Sequence, residues 1–329
     1  MANRRRPSEE DVRIRPARST RPRTKDRPDY RTATEGFALT VDRGRITALA
    51  DGRIITAMKA RELGKNAVVA GDLVSLVGDL SGSEGSLARV VEVRTRKNSV
   101  SRTIENGSEK VIAANIDQML IVSAAANPEP KQGFIDRCLV VAYDQGIRPI
   151  IVMTKRDLAD PRDFLQVYRP LEVESFVLSR DCDLTLMQER LHDKTSVLIG
   201  HSGVGKSTLV NKLSGEGKRS VGNVNVVTGR GRHTSSSAIA LQLPNGGWII
   251  DTPGVRSFGL EHVEESRVIA AFPELIRVIA SCPKNCPHRG DGCRLDDFNQ
   301  TNPESQARVE SLRRLLMSQD DALAQGRYE

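Results

Sequence analysis

Nine residues, Gly200-His201-Ser202-Gly203-Val204-Gly205-Lys206-Ser207-Thr208, match the G-x-x-x-x-G-K-S pattern of a phosphate-cradling loop. Glycines 200, 203 and 205 let the backbone turn tightly and aim its N–H groups at an anion, and a following helix N-terminus adds a favourable field. At these positions Lys206 would bridge β- and γ-phosphates and the Ser207 hydroxyl would ligate Mg²⁺. The context agrees, since Thr-Ser-Val-Leu-Ile at 195–199 reads as a buried strand and 208–213 as the opening of a helix. Asp251-Thr252-Pro253-Gly254 follows by about one βαβ unit, after the apolar strand Trp248-Ile249-Ile250. There the Asp251 carboxylate can hold a Mg²⁺-bound water and the Gly254 N–H can sense a γ-phosphate. The chemistry implied is binding and hydrolysis of a nucleoside triphosphate.

Thr154-Lys155-Arg156-Asp157 ends another apolar run, 149–153, at the carboxyl end of a strand, where parallel sheets bind ligands. A carboxylate at Asp157 accepts from both the ring N–H and the exocyclic amine of guanine, a donor pair that adenine lacks. Lys155 would lie along the base plane, and Thr154 stands where the usual motif has Asn. Ser179, after the strand at 175–178, begins a last base-contacting loop. The base-reading segment precedes the phosphate loop, the reverse of a small G protein. The order implies a circularly permuted GTPase domain.

Small G proteins orient the attacking water with a Gln after the Asp-x-x-Gly glycine; here that position is Val255. Intrinsic hydrolysis is therefore expected to be slow. The Gly- and hydroxyl-rich stretch 229–237 sits where a first switch loop belongs. Thr234 or Ser235 completes a Mg²⁺ shell, and His233 either positions water or only contacts phosphate.

Cys282, Cys286, His288 and Cys293 fall close together, whereas Cys138 and Cys182 stand apart. Three thiolates and an imidazole suit a closed structural zinc site, which leaves no position for catalytic water. Five cysteines cannot all pair, and no signal peptide is apparent, so a disulfide framework fits less well. The formal charge is +7, and residues 1–31 supply +6 of it through eleven Lys and Arg against five Asp and Glu. So polar a tail is expected to be disordered; it serves nucleic-acid contact or solubility. No apolar run is long enough to cross a membrane, and a soluble, cytoplasmic chain is expected.

Between residues 36 and 93, five short β-rich runs alternate with Gly and Asp turns: 37–41, 45–49, 53–58, 72–77 and 87–93. They suit a small OB-fold barrel, though an SH3-like barrel would give nearly the same pattern. Few aromatics interrupt them, so RNA contact there would go through backbone and shape. Residues 94–98 read as a basic linker into the nucleotide sheet, which begins at 118–122. Residues 264–280 read as helix broken near Phe272-Pro273, and 304–324 as a helix whose stripe Val309, Leu312, Leu315 and Leu316 packs between domains.

The assembly resembles the bacterial ribosome small-subunit-dependent GTPase A family over roughly residues 36 to 300. Its marks are Gly133-Phe134-Ile135-Asp136-Arg137, Gly231-Arg232-His233-Thr234, Asp251-Thr252-Pro253-Gly254, Phe272-Pro273-Glu274 and the cysteine cluster. Thr154 departs from the family's Asn, and the cluster is one residue shorter on each side of its Cys-x-His core. The resemblance implies an OB-fold-like barrel, a permuted P-loop GTPase domain and a C-terminal zinc domain, with boundaries expected at 1–35 (tail), 36–97, 98–262 and 263–329. It implies a monomer that binds GTP and GDP with Mg²⁺, docks on the 30S subunit and 16S rRNA, hydrolyses GTP when stimulated there and assists late 30S maturation. Action on the large subunit or another structured RNA is the alternative.

Overall fold

The computed structural model describes residues 32–64, 67–103, 109–215, 237–252, 260, 263–290, 292–299 and 302–326. Five strands come first: β1 (Thr34–Asp42), β2 (Arg45–Ala50), β3 (Arg53–Lys59), β4 (Leu73–Gly78) and β5 (Ala88–Val93). Two-residue turns join the first three, and Arg43-Gly44 and Asp51-Gly52 both lie in the left-handed region that such hairpins require. The strand order β1-β2-β3-β5-β4 returns to β1 through a β1–β4 pairing, so the barrel closes with no free edge. β3 and β5 run parallel and the other pairs antiparallel, which is OB-fold topology rather than SH3-like. β1 begins at Thr34, ahead of the expected boundary, because its first four residues pair with β4; pairing with β2 starts at Phe37 and carries a register shift between Ala38 and Thr40. Ala38, Ile46, Ala48, Ile55, Val74, Leu76 and Val90 fill the interior.

After the 94–98 linker comes a hairpin not expected from the sequence: β6 (Ser99–Thr103) and β7 (Glu109–Ala114). The nucleotide sheet comprises β8 (Gln118–Ala124), β9 (Arg148–Thr154), β10 (Glu174–Val177), β11 (Thr195–Ile199), β12 (Ile239–Gln242) and β13 (Trp248–Asp251). Its order is β10-β9-β8-β11-β13-β12, parallel except for β12. Every residue of β8 is buried, as both faces of a parallel sheet are covered. Met119, Ile121, Ile151, Val197 and Ile250 face α1 (Gln132–Asp144), which is joined in that core by the C-terminal helices. Leu120, Val122, Ile150, Leu198 and Ile249 face the opposite layer. That layer holds α3 (Thr185–Leu191) and α4 (Lys206–Leu213); the short α2 (Arg162–Gln166) precedes β10.

The C-terminal part is helical: α5 (Glu265–Ala270), α6 (Pro273–Ile279), α7 (Leu295–Asn299) and α8 (Pro303–Gly326). Phe272 and Pro273 break the first pair, as Pro suits the first turn of a helix and not its interior. Val309, Leu312, Leu315 and Leu316 are fully buried against the α1 side of the sheet. Arg314 adds an ion pair to the nearly buried Asp136 on α1 at 3.1 Å. Burial raises the Asp136 carboxyl above its ordinary value, and Arg314 opposes that shift.

Candidate nucleotide site and cysteine cluster

The loop from β11 to α4 turns through Gly203 and Gly205, whose φ values are 81° and 93°, a region costly for residues with a Cβ. At Gly200 the restriction is spatial, because a Cβ would meet the Val122 carbonyl oxygen at 2.4 Å. Lys206, the first residue of α4, donates to the carbonyls of Gly200 at 2.5 Å and His201 at 2.7 Å. Burial lowers its pKa, and the Asp251 carboxylate at the end of β13 acts in the opposite sense. Thr252 beside it is buried and donates to Leu198 O at 2.7 Å, which locks the end of β13 to β11. Ser202, Ser207 and Thr208 are exposed or partly so, and Val204 is buried.

Thr154 is buried at the end of β9, and its hydroxyl donates to Val204 O at 2.6 Å, with Ser123 O at 3.3 Å. The base motif is thus tied to the phosphate loop across fifty residues of sequence. Lys155 adopts φ 58° and donates to the carbonyl of Asn127. Arg156 is exposed, and its N–H bonds Leu178 O at 3.1 Å, which fixes the motif against the loop that carries Ser179. A cavity of about 330 Å³ brings these pieces together, with Thr154, Lys155, Asp157, Ser179, Gly205 and Thr208 in its wall. Its apolar floor, Leu178, Leu184 and Leu209, and the polar Arg180 and Lys212 carry no motif and are invisible to pattern matching. His201 packs on Phe134, with ring centroids 4.2 Å apart, so one mark of the family resemblance lies against the phosphate loop. His233, Thr234, Ser235 and Gly254, and the basic segment 1–31, lie outside the described residues.

The ligand atoms of Cys282, Cys286, His288 and Cys293 all lie within 4.8 Å of one another. The Cys282 and Cys293 sulfurs are 3.7 Å apart, and Cys293 Sγ is 3.6 Å from His288 Nδ1. None of the described cysteines is disulfide-bonded. Burial pushes the Cys293 thiol up to about 11 and lowers His288. Ion pairs hold the loop in place, as Arg289 bridges to Glu265 on α5 and Asp320 on α8, both at 2.6 Å. Such a converging donor set could hold a metal ion.

A phosphate loop and an Asp-terminated strand side by side, with the base motif on strands that precede them in the chain, define a circularly permuted P-loop GTPase behind a five-stranded barrel. The RsgA GTPase family model matches residues 93–261. The chain belongs to that family. It is 34% identical over 271 residues to the small ribosomal subunit biogenesis GTPase RsgA of Actinobacillus pleuropneumoniae serotype 5b (strain L20), covering 79% of this chain and 78% of that one. Two solved structures share the fold. YjeQ from Thermotoga maritima superposes with a TM-score of 0.63 at 21% identity, over 87% of this chain and 98% of that chain. YloQ, described as a circularly permuted GTPase, gives 0.62 at 22% identity, over 90% and 98%.

Proposed function

We propose that this chain hydrolyses GTP on the small ribosomal subunit and serves as a switch in its late assembly. The observation that carries this reading is the single cavity shared by Asp157 and Thr154 of the base motif and Gly205 and Thr208 of the phosphate loop. Asp157 reads the guanine edge, Lys155 covers the base, and Ser179 closes the far side. Glycines 200, 203 and 205, with His201, Ser202 and Val204, present backbone N–H groups to the phosphates, and Lys206 swings from its two carbonyls to the β- and γ-oxygens. Ser207, Asp251 and Thr234 would hold Mg²⁺, which when bound neutralises charge on the β- and γ-phosphates. His233 and the Gly254 N–H orient the water and sense the γ-phosphate.

The donor set fits zinc. A tetrahedral ion about 2.3 Å from sulfur and about 2.0–2.1 Å from nitrogen spaces two sulfurs by about 3.8 Å and sulfur from nitrogen by about 3.6 Å. The corresponding separations here are 3.7 and 3.6 Å. The domains run to about residue 97 (barrel, whose first strand begins at Thr34), 98–262 (nucleotide) and 263–329 (metal), after a basic tail that ends before Thr34. The chain acts as a cytoplasmic monomer on 16S rRNA, and no described helix is long and apolar enough to cross a membrane. Because the second switch, near residues 251–257, runs on in sequence into the C-terminal region, a γ-phosphate contact there is relayed to the metal domain, and hydrolysis releases it.

The test is GTP turnover alone, with purified 30S subunits and with 50S subunits. Turnover should rise with 30S and vanish in Lys206→Ala, which keeps the fold. Stimulation by 50S alone would overturn the small-subunit assignment.

A further inference from the structure

A second cavity, of about 260 Å³, lies between the barrel and the β6–β7 hairpin, with Lys59, Arg102, Lys110, Val68, Ile112 and Ser237 in its wall. Arg102 and Lys110 sit directly opposite each other in the hairpin register. Like charges at opposed positions of an antiparallel pair repel and destabilise it. Neither has an ion-pair or hydrogen-bond partner among the described residues, and Arg102 Nε is buried without an acceptor. Lys59 contributes further positive potential while its ammonium is held by Leu63 O at 3.3 Å and Gly64 O at 2.7 Å. No described carboxylate lines this space.

We propose that this cavity binds a small phosphate-bearing solute. A guanidinium and an ammonium face one space, and no carboxylate among the described lining residues neutralises them, so an oxyanion that bridges the two would relieve their repulsion. The Arg fork and the Lys point charge are the pair suited to phosphate oxygens. Apolar walls from Val68 and Ile112 exclude hydrated cations and leave room for a compact body attached to the phosphate. The site is separate from the phosphate loop, and the assignment does not depend on GTP hydrolysis.

The experiment uses the full chain saturated with a non-hydrolysable GTP analogue and Mg²⁺, so that the β- and γ-phosphate positions of the phosphate loop are both filled. Equilibrium dialysis with radiolabelled inorganic phosphate or pyrophosphate should show one further anion per chain, and either anion should raise the unfolding temperature saturably over chloride at matched ionic strength. Lys110→Glu converts the opposed like charges into an opposite pair. It should raise the unfolding temperature in chloride while removing the phosphate increment and weakening anion binding at least tenfold. Lys110→Gln, read by dialysis alone, serves should the first variant fold poorly, and Lys110→Arg should retain binding. No saturable anion beyond the nucleotide, or binding as tight as the native chain's in Lys110→Glu and Lys110→Gln, would overturn the proposal. So would protection by a short single-stranded RNA with none from phosphate or pyrophosphate.

Discussion

A threonine has one hydroxyl proton, and at position 154 it is committed to Val204 O at 2.6 Å. The short side chain therefore keeps the tie between base motif and phosphate loop and has no second polar arm for the base. Thr154→Val should leave the buried Val204 carbonyl without that donor, a loss of about 1–3 kcal/mol divided between stability and site geometry. GTP affinity should fall by roughly tenfold. An unchanged dissociation constant, measured by titration calorimetry, would show that the tie plays no part in shaping the site. Discrimination between bases is then assigned to Asp157, which is exposed at the cavity wall. Asp157→Asn should lose GTP affinity and gain xanthosine triphosphate, because xanthine presents a carbonyl where guanine has its amine. Equal binding of ATP and GTP by the native chain would defeat this assignment.

At the scale of elements, the cysteine loop shows what a bound metal would stabilise. Asn285 and His288 adopt φ of 64° and 59°, left-handed positions that cost non-glycine residues on the order of 1 kcal/mol each. Convergent ligation offsets such strain, so the native chain should carry about one zinc ion, counted by elemental analysis without added metal. Cys286→Ser should lower metal content and speed amide exchange in α7 and the 282–293 loop, with β11 unaffected. Full zinc occupancy after Cys286 and Cys293 are both replaced would reject the cluster. The four candidate ligands were legible in sequence because they lie close along the chain, and the barrel strands because each alternates or runs apolar between turn residues. The β6–β7 hairpin was not, since Val100 is the one buried residue in Ser99–Arg102 and its polar neighbours give no strand period. β12 is four residues long, too short for a period, and its bridge to β1 joins Thr40 to Ile239. The Thr154–Val204 tie and the apolar floor of the base cavity depend on contacts between distant segments, which no local pattern encodes.

At the scale of the molecule, barrel, nucleotide sheet and C-terminal helices share one core, in which Leu39 and Ala70 meet the cluster that also holds Met119, Ile250, Phe272 and Leu312. The β12–β1 bridge makes the barrel and the nucleotide sheet one continuous sheet. Surfaces so rigidly related can recognise a large partner by shape, which leaves the charge on residues 1–31 a different task. That segment supplies +6 of the chain's +7, and without it the remainder is nearly neutral. Deleting it should weaken 30S binding and flatten its salt dependence, because each phosphate that the tail neutralises steepens the fall of log affinity with log salt by about 0.7–0.9. GTP affinity without ribosomes should stay the same, as the base motif begins at Thr154, far from the tail in sequence. Preference for 30S over 50S should survive as well, since the folded surfaces carry it and the tail adds affinity and encounter rate. Binding of both chains across a salt series decides this. Parallel slopes would leave the tail only a solubility role, and loss of subunit preference would mean that it reads a particular rRNA site.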